Sequence, residues 1–127
     1  MKRPVKIIVV GGNVAGPAAA AKAKRYNPNA EVLLFEASEF ISTGTCEMPY
    51  VLSDEINDYR KIVFFSPASF QQEKGVKVFV KHFVQEIDAK KKLIVIKDLI
   101  EDKIFENDYD RLILATGSKA KTLPGFD

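Results

Sequence analysis

Three glycines near the start of the chain have a spacing that suits the binding of phosphate groups. Gly11, Gly12 and Gly16 follow the β-branched run of residues 5–10 and precede an alanine-rich stretch. In a strand–turn–helix unit, glycine allows a tight turn and a close approach of the backbone to a pyrophosphate, whose charge the helix dipole favours. Glu36 closes the next predicted strand 20 residues after Gly16, where an acid can accept hydrogen bonds from a ribose. The pattern predicts a dinucleotide-binding βαβ unit.

One position departs from the usual glycine pattern. Asn13 stands where a second glycine is expected, and its side chain crowds the phosphate, although Asn tolerates unusual backbone angles. A purely structural glycine turn is the alternative. The residues predicted to contact the dinucleotide at this turn are Gly11, Gly12, Asn13, Val14, Ala15 and Gly16.

A cysteine is the second candidate for chemistry. Cys46 follows a Ser/Thr/Gly loop and precedes Pro49 by three residues, which fits a thiol in the first turn of a helix. There the helix dipole favours the thiolate. A buried structural cysteine fits the local sequence equally well. The carboxylate of Glu47 opposes a neighbouring thiolate, and we expect it to face solvent.

A third candidate site follows the last predicted buried strand, residues 111–115. That strand ends in Thr116 and Gly117, which can bring the backbone close to a cofactor. Alone this signal is weak, because glycine after a strand is ordinary in turns.

The elements that position these residues form an α/β pattern. Buried strands are predicted at residues 5–10, Glu31–Phe35, 76–80 and 111–115, and they form a parallel sheet. Charged turns separate shorter β-rich runs, which predicts an antiparallel β-meander before the last strand. The runs of the meander are residues 84–87, 93–96 and 103–105.

Two helices have clear boundary signals. The first covers residues 15–23 and must begin just before Pro17, because proline is tolerated only in a first turn. The second begins at Ser66 and Pro67 and ends at Gly75. Residues 37–60 allow no clear assignment. The phenylalanines at 64, 65, 70 and 79 are predicted to pack in the core.

Composition excludes several function classes. The chain has 127 residues, 46% of them hydrophobic, which predicts one folded domain. A net charge of +2 gives no support for binding to nucleic acid or an anionic membrane, and no apolar run reaches the length of a membrane span. A single cysteine and a single histidine predict no internal disulfide and no metal site, and favour a reducing cytoplasm.

The order and spacing of these motifs are similar to those in the sequences of a known flavoprotein family. The chain resembles the N-terminal FAD-binding segment of the pyridine nucleotide–disulfide oxidoreductase superfamily. Within it, the single-cysteine branch of coenzyme A-disulfide reductases, NADH oxidases and persulfide reductases is the best match. The most specific element is Cys46 followed by Pro49 and Tyr50. The resemblance implies a Rossmann-like, glutathione reductase-like domain with an antiparallel β-meander.

The resemblance also implies a cofactor and a role for the thiol. FAD is expected along the first βαβ unit, with NAD(P)H as the electron donor. Cys46 is expected to cycle between a thiolate and either a mixed disulfide with coenzyme A or a sulfenic acid. Further cofactor contacts are expected at Val84, Ala115, Thr116 and Gly117.

The substrate is less well defined by the resemblance. Arg25, Ser42 and Lys74 match residues that hold coenzyme A in that branch. Lys22 and Thr45 fall at contact positions but differ in type, as does Ala18. Thr45, Glu47 and Met48 also depart from the usual residues around the cysteine. A disulfide, a persulfide or oxygen therefore remain open as substrates.

The resemblance covers residues 1–127 as the N-terminal part of an FAD-binding domain. The NAD(P)H domain and the C-terminal dimerisation domain are expected outside this chain, in a full-length homodimer. We expect the chain alone to be inactive and to hold FAD weakly. Two alternatives remain. Further cysteines in the full-length protein would favour a sulfide-oxidising flavoprotein, and a Cys46 with ordinary thiol reactivity would favour a non-catalytic nucleotide-binding module.

Overall fold

The computed structural model describes residues 2–125. Nine strands and three α-helices are found in this part of the chain. In chain order they are β1 (Lys6–Val10), α1 (Ala15–Tyr26), β2 (Glu31–Phe35), β3 (Ile41–Thr43), α2 (Met48–Leu52), β4 (Val63–Phe65), α3 (Pro67–Lys74), β5 (Lys77–Phe79), β6 (His82–Asp88), β7 (Leu93–Asp98), β8 (Lys103–Asp108) and β9 (Arg111–Leu114). Two 3-10 turns, Thr45–Glu47 and Tyr59–Ile62, complete the regular structure.

The centre of the fold is a parallel sheet in the spatial order β5-β2-β1-β9. All four strands were predicted from their apolar runs, and the prediction is confirmed. β5 is shorter than the predicted range of residues 76–80, because only Lys77–Phe79 pair with β2. Each of these strands begins with a charged residue, and the residues that follow are apolar because both faces of the sheet are covered.

The two faces of the sheet contact different elements. On one face, Val9 and Leu34 pack with Ala20 of α1 and Phe70 of α3. On the other face, side chains of β1 and β2 pack against the β-meander. This second cluster consists of Ile8, Val10, Leu33, Phe35, Ile94, Ile96 and Tyr109. The α/β architecture with helices on one side and a meander on the other is the predicted fold class.

The β-meander consists of β6, β7 and β8 in antiparallel order, as predicted. Each strand is longer than its predicted run, since the polar residues at its ends still pair with the neighbouring strand. A bulge between Val84 and Glu86 interrupts the pairing of β6 with β7.

The segment that the sequence did not assign forms a small ribbon and a short helix. β3 pairs with β4 in an antiparallel ribbon that joins Ile41 to Phe65 and Thr43 to Val63. Ser42 N donates a hydrogen bond to the carbonyl oxygen of Gly12 at 2.8 Å. The ribbon therefore fixes the loop that carries Cys46 against the glycine turn.

Helix boundaries follow the predicted signals. Pro17 is the third residue of α1, and the helix continues to Tyr26, beyond the predicted end. Ser66 caps α3: its Oγ accepts a hydrogen bond from Ser69 N at 3.0 Å, and Gly75 ends the helix with φ +68°. Between residues 2 and 125, no helix is long and apolar enough to cross a membrane.

Candidate functional site

The glycine turn joins the carboxyl end of β1 to the start of α1. Gly11 adopts φ +104°, and its N–H donates a hydrogen bond to the carbonyl oxygen of Phe35 at 2.9 Å. A Cβ at Gly11 would overlap the carbonyl oxygen of Ala115, and a Cβ at Gly16 would overlap the carbonyl oxygen of Gly11. Both positions therefore require glycine. Gly16 is buried, and it serves the close packing of helix and strand.

Glu36 follows β2 and its carboxylate lies beside the glycine turn. Oε2 accepts a hydrogen bond from Gly12 N at 2.5 Å, and Oε1 accepts one from Ser38 N at 2.9 Å. A Cβ at Gly12 would come within 3.0 Å of the Glu36 Cβ. These contacts hold the carboxylate in one orientation and leave its remaining lone pairs available to a ligand.

A cavity of about 460 Å³ lies above the glycine turn, and we call it the turn cavity. It brings together candidate cofactor residues from three separate segments. Its lining includes Gly11, Gly12, Asn13, Glu36, Ala115, Thr116 and Gly117, together with Thr45 and Ser118. Val14, Ala15 and Gly16 do not line it.

A second, smaller cavity of about 230 Å³ adjoins the turn cavity and shares Gly11, Glu36 and Thr116 with it. Val84 of the β-meander lines this smaller cavity beside His82, so the two are brought close to the glycine turn. His82 is half-buried, and its Nδ1 lies 2.7 Å from the carbonyl oxygen of Val80. The predicted contact at Val84 therefore lies in the cavity next to the other cofactor candidates.

Cys46 lies in the 3-10 turn Thr45–Glu47, which leads directly into α2. The thiol is exposed, which disagrees with a buried structural cysteine. It opens into a groove of about 470 Å³, which we call the cysteine groove. Cys46 therefore lies at the start of a helix, as predicted, although this first turn is a 3-10 turn and not an α-helical one.

The walls of the cysteine groove are mainly apolar. One wall is a face of α1, and the other contains aromatic side chains that include Phe64, which is 60% exposed instead of packing in the core as predicted. The apolar lining residues are Val14, Pro17, Ala18, Ala21, Phe64, Phe65 and Phe70. Ser42, Thr45 and Lys74, three of the candidate substrate residues, contribute polar groups to the same groove.

The position of Glu47 differs from the expectation. Its side chain is half-buried and lines the cysteine groove instead of facing solvent. A Cβ at Gly44 would overlap Oε2 of Glu47, so the missing side chain of Gly44 provides the space that the carboxylate occupies. The sequence does not indicate this contact, because a glycine in a loop carries no sign of which side chain occupies the space beside it.

The turn cavity and the cysteine groove meet at two residues. Asn13 and Thr45 line both of them. Asn13 belongs to the glycine turn and Thr45 immediately precedes Cys46. A ligand in the turn cavity can therefore reach the region of the thiol.

The residues present fit a dinucleotide cofactor. Val14 precedes α1 without a side-chain cap, and the first turn of the helix contains no acidic residue. These backbone N–H groups remain available to an anion such as a pyrophosphate. Between residues 2 and 125, no group of three His, Cys, Asp or Glu side chains could hold a metal ion.

Comparison with known proteins identifies the family. The sequence profile described as pyridine nucleotide-disulphide oxidoreductase matches residues 5–127. This chain belongs to that family. It corresponds to the family's FAD-binding segment, as the sequence motifs indicated.

Similar members of the family share the fold and differ in reaction. A coenzyme A disulfide reductase from Staphylococcus epidermidis is 30% identical over 118 residues, which is 93% of this chain and 27% of that protein. The reduced CoADR-RHD of Bacillus anthracis superposes with a TM-score of 0.92 at 28% identity, covering 95% of this chain and 22% of that one. The NAD-dependent persulfide reductase of A. fulgidus gives a TM-score of 0.90 at 27% identity, covering 94% and 22%. The chain thus spans about a quarter of the length of these family members.

Two predicted substrate residues lie outside the groove. Lys22 and Arg25 are exposed on α1 and do not line the cysteine groove. Ala18, Ala21 and Arg25 nevertheless share one helix stripe, because they are separated by three and four residues. Arg25 therefore lies beyond the end of the groove on the same helix.

The sequence missed several lining residues. Pro17, Ala21 and Phe64 line the cysteine groove, and Ser118 and Lys119 line the cavities near the glycine turn. The helical spacing of Val14, which precedes α1, and of Pro17 and Ala21 within it is the sequence signal that could have revealed the groove wall.

Proposed function

We propose that this chain is the FAD- and substrate-facing part of an NAD(P)H-dependent flavoprotein. The protein would reduce a disulfide, a persulfide or oxygen through Cys46. The observation that carries the proposal is the junction of the turn cavity with the cysteine groove at Asn13 and Thr45. An exposed thiol next to a nucleotide-binding cavity is what electron transfer between a cofactor and a sulfur substrate requires.

The turn cavity, the smaller cavity beside it and the start of α1 would together hold FAD. The start of α1 would bind the pyrophosphate through backbone N–H groups, and Glu36 would accept hydrogen bonds from the ribose. Val84, Ala115 and Thr116 would contact the remainder of the nucleotide. FAD, when bound, supplies the electron pair that regenerates the thiol after each turnover.

Cys46 would act as the nucleophile toward a disulfide. Its thiolate attacks one sulfur of the substrate, so that a Cys46–sulfur bond forms and the substrate's sulfur–sulfur bond breaks. The leaving thiolate departs with the electron pair and takes a proton from solvent. The exposure of Cys46 and the open groove allow this attack.

Coenzyme A disulfide is the substrate that the similar proteins suggest. Its pantetheine arm would lie along the apolar groove, where Ser42 offers a hydroxyl group and Lys74 a cation. Its phosphates would extend toward Arg25 and Lys22 on α1. An NAD(P)H domain and a dimerisation domain would complete the enzyme, with a homodimer as the assembled form.

A substitution in the full-length protein tests this function. Cys46→Ser should reduce disulfide turnover by about 1000-fold or more, because the nucleophile is removed. Reduction of the flavin by NAD(P)H, followed by stopped-flow absorbance, should stay within about twofold, because that half-reaction does not use the thiol. Normal disulfide turnover by Cys46→Ser would show the thiol to be inert and leave a nucleotide-binding module.

A further inference from the structure

The cysteine groove contains a carboxylate that forms no ion pair with any other residue that the structure describes. Glu47 is adjacent to Cys46 in the 3-10 turn and lines the same groove. Its carboxylate lies over Gly44 and beside the ring of Phe64, whose Cε2 would be 2.9 Å from a Cβ at position 44. The ion pairs and side-chain hydrogen bonds found between residues 2 and 125 do not involve it.

The nearby cation is partly balanced by another acid. Lys74 Nζ is 3.9 Å from Oε2 of Glu73 and 5.4 Å from the centre of the Phe65 ring. Its charge is therefore shared with a neighbour outside the groove, whereas the charge of Glu47 is not. The remaining groove residues are apolar or neutral. Among the described residues, Glu47 is thus the charged side chain of the groove that has no ion-pair partner.

On the proposed redox role of Cys46, we infer that Glu47 determines the charge class of the substrate. A carboxylate in the groove that contains the reacting sulfur repels anions and attracts cations. It disfavours substrates with negative charge at or next to their reacting sulfur, such as hydrosulfide, persulfide anions and disulfides with an adjacent carboxylate. It favours disulfides whose arms near the sulfur are neutral or carry an amine. A neutral pantetheine arm, with its phosphates far from the sulfur, belongs to the favoured class.

Charged thiosulfonates measure this selectivity on the 127-residue chain. Cys46 is its only cysteine, so the labelling is specific. The thiolate attacks the sulfenyl sulfur, a disulfide forms, and methanesulfinate leaves with the electron pair of the broken sulfur–sulfur bond. We compare the rates with 2-aminoethyl and 2-sulfonatoethyl methanethiosulfonate. The cationic-to-anionic rate ratio reports the local potential, because the thiolate fraction cancels.

Glu47→Gln keeps the shape of the side chain and removes its charge. We expect the cationic-to-anionic ratio to fall about 3- to 10-fold at low ionic strength. Lys74→Gln should raise the ratio. Glu55→Gln removes an exposed charge outside the groove and should leave it unchanged. As a measurement that needs no variant, about 0.5 M salt should lower the ratio of the parent chain toward that of Glu47→Gln.

An unchanged ratio in Glu47→Gln would overturn the inference, as would an equal change in Glu55→Gln. A ratio that responds to Lys74→Gln alone would assign the selectivity to the lysine. The assay reads the potential at Cys46 and not electron transfer. The thiosulfonate ratio can therefore contradict the role of Glu47 while the loss of turnover in Cys46→Ser still supports the proposed function. Equally, normal turnover in Cys46→Ser would contradict the proposed function whatever the ratio shows.

Discussion

The carbonyl oxygen of Gly11 lies directly against Gly16, so that no side chain fits at position 16. The same contact brings α1 close to β1, where Val9 Cγ1 would be 3.4 Å from a Cβ at that position. The start of α1 is thereby placed at the edge of the turn cavity. The packing of one glycine against another thus positions the backbone N–H groups that would face a pyrophosphate.

The first prediction concerns Gly16→Ala. Helix propensity alone favours alanine by about 1 kcal/mol, whereas overlap with the Gly11 carbonyl costs about 2–3 kcal/mol or more. We expect net destabilisation, measured by urea denaturation. Gly117→Ala is the control, because its Cβ would meet nothing within 4 Å and only its φ of +69° is unfavourable. A Gly16→Ala chain as stable as the parent would contradict the described contact.

The second prediction concerns Glu36 and FAD. In the full-length protein, Glu36→Ala should weaken FAD binding about 10- to 100-fold, because the charged group that we propose as the hydrogen-bond acceptor for the ribose is lost. Flavin absorbance and fluorescence titration of the apoprotein measure the effect. Glu39→Ala is the control, since Glu39 pairs with Lys81 at the surface at 3.5 Å.

Because the backbone N–H groups of Gly12 and Ser38 lose their acceptor in Glu36→Ala, the shape-conserving Glu36→Gln should be measured beside it. Equal FAD affinity in Glu36→Gln and the parent would show that the charge has no role. The 127-residue chain itself should hold little FAD. Stoichiometric flavin on it would show that this segment suffices.

The third prediction concerns stability in acid. The Asp110 carboxylate accepts a hydrogen bond from Lys6 N at 2.7 Å and pairs with Arg3 at 2.9 Å, and these contacts hold the pKa of Asp110 below its usual 3.8. A hydrogen bond from Lys6 Nζ at 2.6 Å likewise lowers the pKa of Asp108. Because these pKa values are lower in the folded chain, their stabilisation is present above pH 3.8 and is lost as the pH falls through the folded values.

Asp110→Asn should therefore lower the urea midpoint at pH 7 and flatten its decline below about pH 4. Glu106→Gln, which removes an exposed carboxylate on β8, should keep the parent's pH profile. If the urea midpoint of Asp110→Asn fell below about pH 4 as steeply as that of the parent, Asp110 would contribute nothing to the loss of stability in acid.

The fourth prediction separates two cations by their distance from the thiol. Lys74 lines the cysteine groove, whereas Arg25 lies beyond its end on α1. In the full-length protein, Arg25→Gln should raise KM for coenzyme A disulfide several-fold and leave KM for a short disulfide such as cystamine unchanged. Lys74→Gln should change both, with little effect on kcat. Equal effects of Arg25→Gln on the long and the short substrate would contradict this placement.

Much of the fold was predictable because its central strands carry uninterrupted apolar runs. Residues such as Ile8 and Leu34 are fully buried, and a strand covered on both faces has this composition. The glycine turn was equally predictable, since steric exclusion at Gly11 and Gly16 limits the residue type.

The ribbon of β3 and β4 was not predictable, because each strand has three residues and its pairing joins Ile41 to Phe65, far apart in the chain. The five-residue helix α2 is too short to show a hydrophobic period. Residues of this segment also form part of the wall of the cysteine groove. The sequence therefore did not predict that the side chain of Glu47 lines the groove. Local sequence describes the strands well, whereas the site depends on contacts between distant segments.

The central claim is that electrons reach the substrate through Cys46. The direct measurement is the mass of the tryptic peptide of residues 26–60, which contains this cysteine and no internal lysine or arginine. Reduced full-length protein is mixed with excess disulfide without oxygen and quenched in acid at successive times. We expect this peptide to gain the mass of one substrate thiol less two hydrogens within the first turnover, and to lose it when NAD(P)H is in excess. Disulfide reduction at the normal rate with this peptide unmodified throughout would contradict the account.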